Sequence, residues 1–285
     1  MTSRRETATS TDAPQSDPDE SCRGVLARHM TPPSRPRPVG ATSPDPPGLP
    51  DAVLLRQRWS ELAYFHWPYP ADEVQALLPP GVTVETYGGV AWVGLIPFEM
   101  RDVRVGPSPV VPWLGNFLEI NVRTYVTGPD GSRAVWFFSL DVPSATIVAV
   151  ARGAFALPYC WARTSHLRNG NRHVYRTERR WPRGDTGHSE MRFTVGDRID
   201  EHAVGPLEHF LSARWALIAM RRRRLLRGRV DHPRWPLHRL VDVDVRGDLL
   251  EAAGLSTPAG EPHAMYSPGV AVEISRFRLI DPERP

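Results

Sequence analysis

One segment of the sequence alternates regularly between apolar and polar side chains: Phe117-Leu118-Glu119-Ile120-Asn121-Val122-Arg123-Thr124-Tyr125-Val126. Its even positions are apolar apart from Thr124, whereas Glu119, Asn121 and Arg123 occupy odd positions. A period of two predicts a β-strand with two different faces. A shift of one residue in register would exchange those faces.

The face with the three polar side chains can either meet solvent or line a cavity. Phe117 and Tyr125 bracket the polar side chains, which favours the wall of a cavity inside a closed barrel. Glu119 and Arg123 are about 13 Å apart along such a strand, so they cannot pair with each other. A buried, ionised Glu119 must therefore be hydrogen-bonded or paired with another group, and arginine and histidine are the only basic side chains available as its partner.

Three turn sequences lie between apolar segments and predict β-hairpins. They are Tyr87-Gly88-Gly89, Gly128-Pro129-Asp130-Gly131 and Asn169-Gly170-Asn171. The strands that they join are predicted at 82–85 and 90–98, 117–126 and 134–140, and 159–167 and 173–179. Successive hairpins indicate an antiparallel, mostly β architecture of the α+β type.

Three helices are predicted outside the hairpins. One covers 71–78, and another runs over 144–152, capped by Ser144 and ended by Gly153. The third is predicted at 206–227, with Arg221 to Arg224 in its last turns, where the helix dipole favours cations. The arginine run suggests nucleic acid, but the nearly balanced charge favours a solvated helix end.

Composition divides the 285 residues into a tail and one domain. Residues 1–50 hold ten of the 30 prolines and no aromatic residue. Such a segment cannot bury enough apolar surface to order itself, so we expect it to be disordered, with Met30 as a second candidate start. Residues 51–285 are predicted to form a single domain.

The charge and cysteine content exclude several classes of protein. All 35 basic residues are arginine, the net charge is +3, and Cys22 and Cys160 offer no framework of disulfides. No run of 18 apolar residues predicts a membrane span, and no signal peptide precedes the domain. We expect a cytoplasmic protein that binds neither membranes nor nucleic acid; a homo-oligomer is left open.

Familiar catalytic motifs are missing. The sequence contains no G-x-S-x-G, H-E-x-x-H, G-x-G-x-x-G or Walker motif. Its ten histidines are never one, three or four residues apart, so no local metal site is predicted. We expect neither a metal nor another cofactor.

Several segments resemble the YqjF-like family of uncharacterised bacterial proteins. They are Phe65-His66-Trp67-Pro68, Ala91 to Phe98, Phe117 to Val126, Phe137 to Asp141, Ala151 to Tyr159, Phe210 to Trp215, His232 to Leu237 and Ser267 to Val270. That family resembles the acetoacetate decarboxylase-like superfamily. The resemblance implies a closed, cone-shaped antiparallel β-barrel with peripheral helices and an internal pocket.

The resemblance also implies which residues face the pocket. In those decarboxylases a lysine after a Phe-Pro pair forms a Schiff base, assisted by a glutamate on a neighbouring strand. Here Leu157-Pro158 matches the pair, Tyr159 takes the place of the nucleophile, Cys160 that of the following lysine, and Glu119 matches the glutamate. Because the sequence has no lysine, the Schiff-base mechanism is not expected.

The leading hypothesis is a small-molecule enzyme that uses acid-base and electrostatic catalysis on a carbonyl or carboxylate compound. Glu119 would carry a proton and Tyr159 would donate to an oxyanion. The predicted substrate-binding residues are Arg123, Arg152, Asn121 and His66. Structural roles compete: Arg152 can cap a helix end, Tyr159 and His66 can pack in the core, and Cys160 can be a buried inert thiol. The alternative is a non-catalytic protein of the same fold that binds a small molecule.

Overall fold

A computed structural model describes residues 37–38, 43–110, 115–182 and 187–281. Most of the tail predicted at 1–50 lies outside these ranges. Residues 43–50 are described, and there Asp45 accepts hydrogen bonds from Arg234 while the carbonyl of Ser43 accepts one from Trp215. These contacts bring residues before the predicted boundary at 51 against the body of the protein.

Fourteen strands form one sheet in the described part of the chain. They are β1 Arg37–Pro38, β2 Val53–Tyr69, β3 Thr83–Tyr87, β4 Val90–Val105, β5 Phe117–Thr127, β6 Arg133–Val142, β7 Tyr159–Asn169, β8 Arg172–Trp181, β9 His188–Arg198, β10 Ala216–Arg221, β11 Arg224–Asp231, β12 His238–Gly247, β13 His263–Ser275 and β14 Arg278–Leu279. The mostly β prediction is confirmed, and the three predicted hairpins are present as β3–β4, β5–β6 and β7–β8.

The strands pair in the order β1-β3-β5-β4-β2-β13-β12-β9-β8-β7-β6-β10-β11-β14, and further pairs join β3 to β4, β5 to β6 and β13 to β11. Most pairs are antiparallel; β1–β3, β6–β7 and β6–β10 are parallel. Strand β5 therefore contacts β4 on one side and β6 on the other, so its backbone is paired along both edges.

Three short α-helices accompany the sheet in the described ranges: α1 Ala71–Ala76, α2 Ala145–Phe155 and α3 Pro206–Ser212. The Ser144 hydroxyl accepts a hydrogen bond from the backbone of Ile147, as expected for the predicted cap. The predicted stop at Gly153 is wrong, because α2 continues to Phe155 and ends at Ala156 in the left-handed conformation. None of the helices in these ranges is long and apolar enough to cross a membrane.

The helix predicted at 206–227 is wrong beyond its first two turns. Helix α3 ends at Ser212, and the rest forms the antiparallel hairpin of β10 and β11. Arg222 and Arg223 make its turn with φ of 47° and 66°. Both central residues of such a turn need positive φ, which Asn and Gly usually adopt. Because arginine occupies both positions here, the turn was not predicted. The arginine run is exposed in this turn, not at a helix end.

The sheet and helices enclose a core with several buried polar groups. One apolar cluster includes Leu62, Tyr64, Ile96 and Phe210 and surrounds the polar residues of β5. Polar side chains within such a core need hydrogen-bond partners, so the fold must supply a partner at each of these positions.

Candidate active site

The polar face of β5 is buried. Glu119, Asn121 and Arg123 are 3%, 3% and 7% exposed, and the opposite face carries the fully buried Ile120 and Val122. Both faces of the strand therefore lie inside the protein. The interpretation in which the polar face meets solvent is wrong.

Glu119 is held by two neutral donors. Its Oε2 accepts a hydrogen bond from the Tyr159 hydroxyl at 3.0 Å, and its Oε1 accepts one from the Asn121 amide at 3.2 Å. Within the described ranges no ion pair involves Glu119, so its predicted arginine or histidine partner is absent. Burial raises the pKa of this carboxyl to about 7, against weaker opposing effects of the two donors and of Arg123.

Glu119 and Tyr159 share a cavity with Arg123. This inner cavity has a volume of about 70 Å³, and its wall also includes Trp59, Arg214, His232, Gln57, Ser212 and several apolar side chains. Glu119 is on β5, Tyr159 begins β7, and the parallel pairing of β6 and β7 brings them together across β6. The sheet thus places a carboxyl with a pKa of about 7 on the wall of the inner cavity.

Arg123 lies near Glu119 but bonds to other groups. Its Nη2 donates to the carbonyl of Leu211 at 3.2 Å and to the Tyr125 hydroxyl at 3.5 Å. Its Nε is buried and has no partner in the described part of the chain. Both hydrogen-bond partners are neutral, and the carboxyl of Glu119 balances the charge of Arg123 only to the extent that it is ionised.

Arg214 adds a second cation to the wall of the inner cavity. Its Nη1 donates to Glu85 at 2.7 Å, but Glu85 also accepts a hydrogen bond from Arg133 at 3.0 Å. Since one carboxylate faces two arginines, the charge of Arg214 is only partly balanced. Its Nε and Nη2 and the indole Nε1 of Trp59 are buried and have no partner among the described residues.

Four unpartnered N–H groups therefore belong to three residues of one cavity wall: Arg123, Arg214 and Trp59. Buried donors without partners are costly, and a ligand that accepts hydrogen bonds removes that cost. An anion satisfies both the donors and the excess positive charge. Carboxylates and other small oxyanions accept charge-assisted hydrogen bonds from donors of this kind.

His66 is not on the cavity wall. It is fully buried, and its Nε2 lies 2.6 Å from the hydroxyl of Tyr125, which donates to the carbonyl of Leu211 at 2.6 Å. With that hydroxyl hydrogen used, His66 Nε2 must carry the proton, and the imidazole is neutral. Burial lowers the pKa of His66 well below its usual value, so this residue packs as a core histidine and does not line the inner cavity.

The other predicted binding residues also lie away from the wall of the inner cavity. Arg152 is exposed, donates to the carbonyl of Tyr159 at 2.7 Å and stacks over Trp181 at 4.4 Å. This contact differs from the helix-end cap that was left open for Arg152, and Arg152 does not line the inner cavity. Asn121 supports Glu119 instead of lining the cavity. Cys160 is buried, and burial raises the pKa of its thiol.

Sequence reasoning missed Arg214 and Trp59. Arg214 fell within the helix predicted at 206–227 and received no role there, whereas it follows the end of α3 and is buried. Trp59 lies on β2, which was not predicted as a strand. For Arg214 the sequence did contain a signal of its role, because this arginine stands in the apolar segment Phe210 to Trp215.

No group of three His, Cys, Asp or Glu side chains is arranged to hold a metal ion within the ranges 43–110, 115–182 and 187–281. The polar groups on the wall of the inner cavity are the carboxyl of Glu119, the phenol of Tyr159, the guanidinium groups of Arg123 and Arg214, the imidazole of His232, the indole of Trp59, the amide of Gln57 and the hydroxyl of Ser212.

The fold is that of the acetoacetate decarboxylase-like proteins. Acetoacetate decarboxylase from Legionella pneumophila matches with a TM-score of 0.56 at 13% identity, covering 84% of this chain and 92% of that chain. An acetoacetate decarboxylase-like enzyme from Sphingomonas wittichii RW1 gives 0.57 at 13% identity, over 85% and 100%. The enduracididine biosynthesis enzyme MppR, complexed with pyruvate, gives 0.58 at 14% identity, over 85% and 99%.

Sequence comparison identifies the family. Residues 56–271 match the DUF2071 family of uncharacterised conserved proteins. The uncharacterised protein YqjF of Bacillus subtilis strain 168 is 30% identical over 220 residues, which cover 77% of this chain and 90% of YqjF. The chain belongs to the DUF2071 family, and the resemblance to YqjF is confirmed.

Proposed function

We propose that this protein is an enzyme that moves a proton on a small carbonyl or carboxylate compound, with Glu119 as the proton carrier. The observation that carries the proposal is the environment of Glu119: a buried carboxyl with a pKa of about 7 and no cation bonded to it. A general acid or base works best when its pKa lies near the working pH.

The substrate would bind through its oxyanion. Arg123 and Arg214 supply positive charge, and their unpartnered N–H groups, together with the indole of Trp59, supply hydrogen bonds. The same groups would stabilise an enolate formed when Glu119 removes a proton from the carbon next to a carbonyl. One structural neighbour, MppR, was solved with pyruvate, a compound with both a carboxylate and a carbonyl.

Tyr159 would hold the carboxyl of Glu119 in place. Burial and the neighbouring carboxyl raise the pKa of Tyr159 well above its usual value, so its phenol stays neutral and donates. As Glu119 loses its proton, the hydrogen bonds from Tyr159 and Asn121 strengthen and stabilise the carboxylate. The reaction needs no amine nucleophile, in keeping with a sequence without lysine.

A closed barrel would explain how the cavity excludes water. Following the pairs from β5 through β4, β2, β13, β12, β9, β8, β7 and β6 returns to β5. We propose that this circuit is the cone-shaped barrel of the acetoacetate decarboxylase-like fold. A dry interior would strengthen each charge interaction with a bound oxyanion.

The second candidate is a binding protein that holds an anion without changing it. The observation in its favour is that the residue in the nucleophile's position, Tyr159, already donates its hydroxyl to Glu119. The unpartnered donors would then serve binding alone.

Hydrogen exchange distinguishes the two candidates. A panel of 2-oxo and 3-oxo acids is incubated with the protein in D₂O, and exchange at the carbon next to the carbonyl is followed by proton NMR. We expect exchange with the parent protein, a loss of about 100-fold or more in Glu119→Gln, and retained binding. Glu261→Gln, at an exposed carboxylate, is the control. Binding without exchange would support the binding protein.

A further inference from the structure

A second cavity adjoins the inner one. This outer groove has a volume of about 200 Å³ and lies between helix α2, the ends of β2 and β4, and the segment after β13. Every residue that lines it is apolar except Gln57 and Tyr159. The groove reaches the surface, where Val105 and Val150 are 46% and 55% exposed.

The two cavities have part of their walls in common. Gln57, Met100, Leu157, Tyr159, Leu217 and Ile274 line both. The hydroxyl of Tyr159 points to Glu119, while its ring belongs also to the wall of the groove. The two cavities therefore lie side by side, and a molecule that extended past these shared side chains would have one end in each.

The contrast between the cavities defines the chemistry of such a molecule. The inner cavity offers N–H donors and positive charge, and the outer groove offers only apolar surface at its far end. Apolar surface that stays exposed is costly, and an aliphatic chain covers it without leaving polar atoms unpaired. A short polar acid would leave the groove unfilled.

We propose that the ligand is an aliphatic carboxylic acid whose chain is several carbons long, with its carboxylate against Arg123 and Arg214 and its chain in the outer groove. This inference rests on the proposed function for the position of the carboxylate. It adds the substrate class: chain length, not only the acid group, determines affinity.

Titration calorimetry with butanoate, hexanoate and octanoate tests the proposal, with octan-1-ol as the neutral counterpart of octanoate. The dissociation constant should fall about threefold to fourfold for each added methylene. Octanoate should bind at least about tenfold more tightly than octan-1-ol, because only the carboxylate satisfies the buried donors.

A charged side chain at the mouth of the groove tests the position of the alkyl chain. Val150→Glu should weaken octanoate about tenfold and leave butanoate unchanged, since only the longer chain reaches the mouth. Val150 is exposed and does not line the inner cavity, so folding and the acid site should be preserved. Val241→Glu, at a residue 47% exposed on β12, is the matched control and should affect neither ligand.

The outcomes separate this inference from the proposed function. If the carboxylates bind equally well at every chain length, or if Val150→Glu does not weaken octanoate binding, the alkyl chain does not lie in the outer groove. Either result would leave the proposed acid site unaffected. Octanoate binding no better than octan-1-ol would overturn the acid site. No binding by any of the acids would overturn both.

Discussion

Glu119 shows how two neutral neighbours can give a carboxyl a property that a salt bridge would remove. An arginine bonded to it would lower its pKa and keep it ionised. Tyr159 and Asn121 stabilise the carboxylate less than burial destabilises it, so its pKa rises to about 7. The position of Glu119 on a buried, polar strand face could be predicted from the alternation around it. Its partners could not, because Tyr159 comes from another strand.

The raised pKa of Glu119 should appear in the pH dependence of stability. The folded protein binds this proton more tightly than the unfolded chain, whose carboxyl has a pKa near 4.5. The stabilisation is fully present below about pH 4.5 and is lost as the pH rises through about 7. We expect Glu119→Gln to gain stability relative to the parent by roughly 2 to 3 kcal/mol between pH 5 and pH 8.

Urea unfolding at several pH values measures this difference. Glu261→Gln, at an exposed carboxylate, should show a difference that does not change with pH. A constant difference between Glu119→Gln and the parent over the same range would mean that Glu119 is ionised in the folded protein throughout.

The absence of lysine leads to a second prediction at the residue scale. Borohydride reduction in the presence of 3-oxo acids should give no covalent adduct within residues 43–281, because no side chain there carries a primary amine. Mass spectrometry of peptides from the treated protein provides the measurement. An adduct located in that range would show that imine chemistry takes place by another route.

At the scale of elements, local patterns predicted hairpins with Gly-containing turns and failed at the hairpin of β10 and β11. Ala216 to Ala219 is apolar at every position because the strand is buried on both faces, and such a run does not distinguish a strand from a helix. The turn that follows contains neither glycine nor asparagine. The positive φ of Arg222 and Arg223 results from pairing of the flanking strands, which overrides the local preference.

The same turn should be easy to stabilise. Two arginines with positive φ cost conformational energy, which the double variant Arg222→Asn with Arg223→Gly would relieve. We expect its free energy of unfolding to rise by about 1 kcal/mol, as measured by thermal or urea denaturation. The double variant Arg222→Gln with Arg223→Gln is the control. It removes the same two charges, but glutamine, unlike asparagine and glycine, does not favour positive φ. If this control gave an equal gain, charge repulsion among the arginines would be the cause.

At the scale of the molecule, the domain predicted at 51–285 implies that the tail contributes little stability. Asp45 and Arg234 form a surface ion pair, and such solvent-exposed pairs contribute little to stability. We expect deletion of residues 1–50 to change Tm by no more than about 4 °C in differential scanning calorimetry. Deletion through Arg58 removes the first part of β2 and should prevent folding. A large loss of Tm on the shorter deletion would place the domain boundary earlier.

The pairing of β2 with β13 also affects how the protein is made. These strands are adjacent from His66 beside His263 to Val53 beside Ser275, although about 200 residues separate them in the chain. A ribosome that adds about 5 to 20 residues per second releases β2 on the order of ten seconds or more before its partner exists. During that time Leu62 and Phe65, which the finished fold buries, lack the strand that covers this edge of β2. The sheet is therefore completed only after β13 has been synthesised.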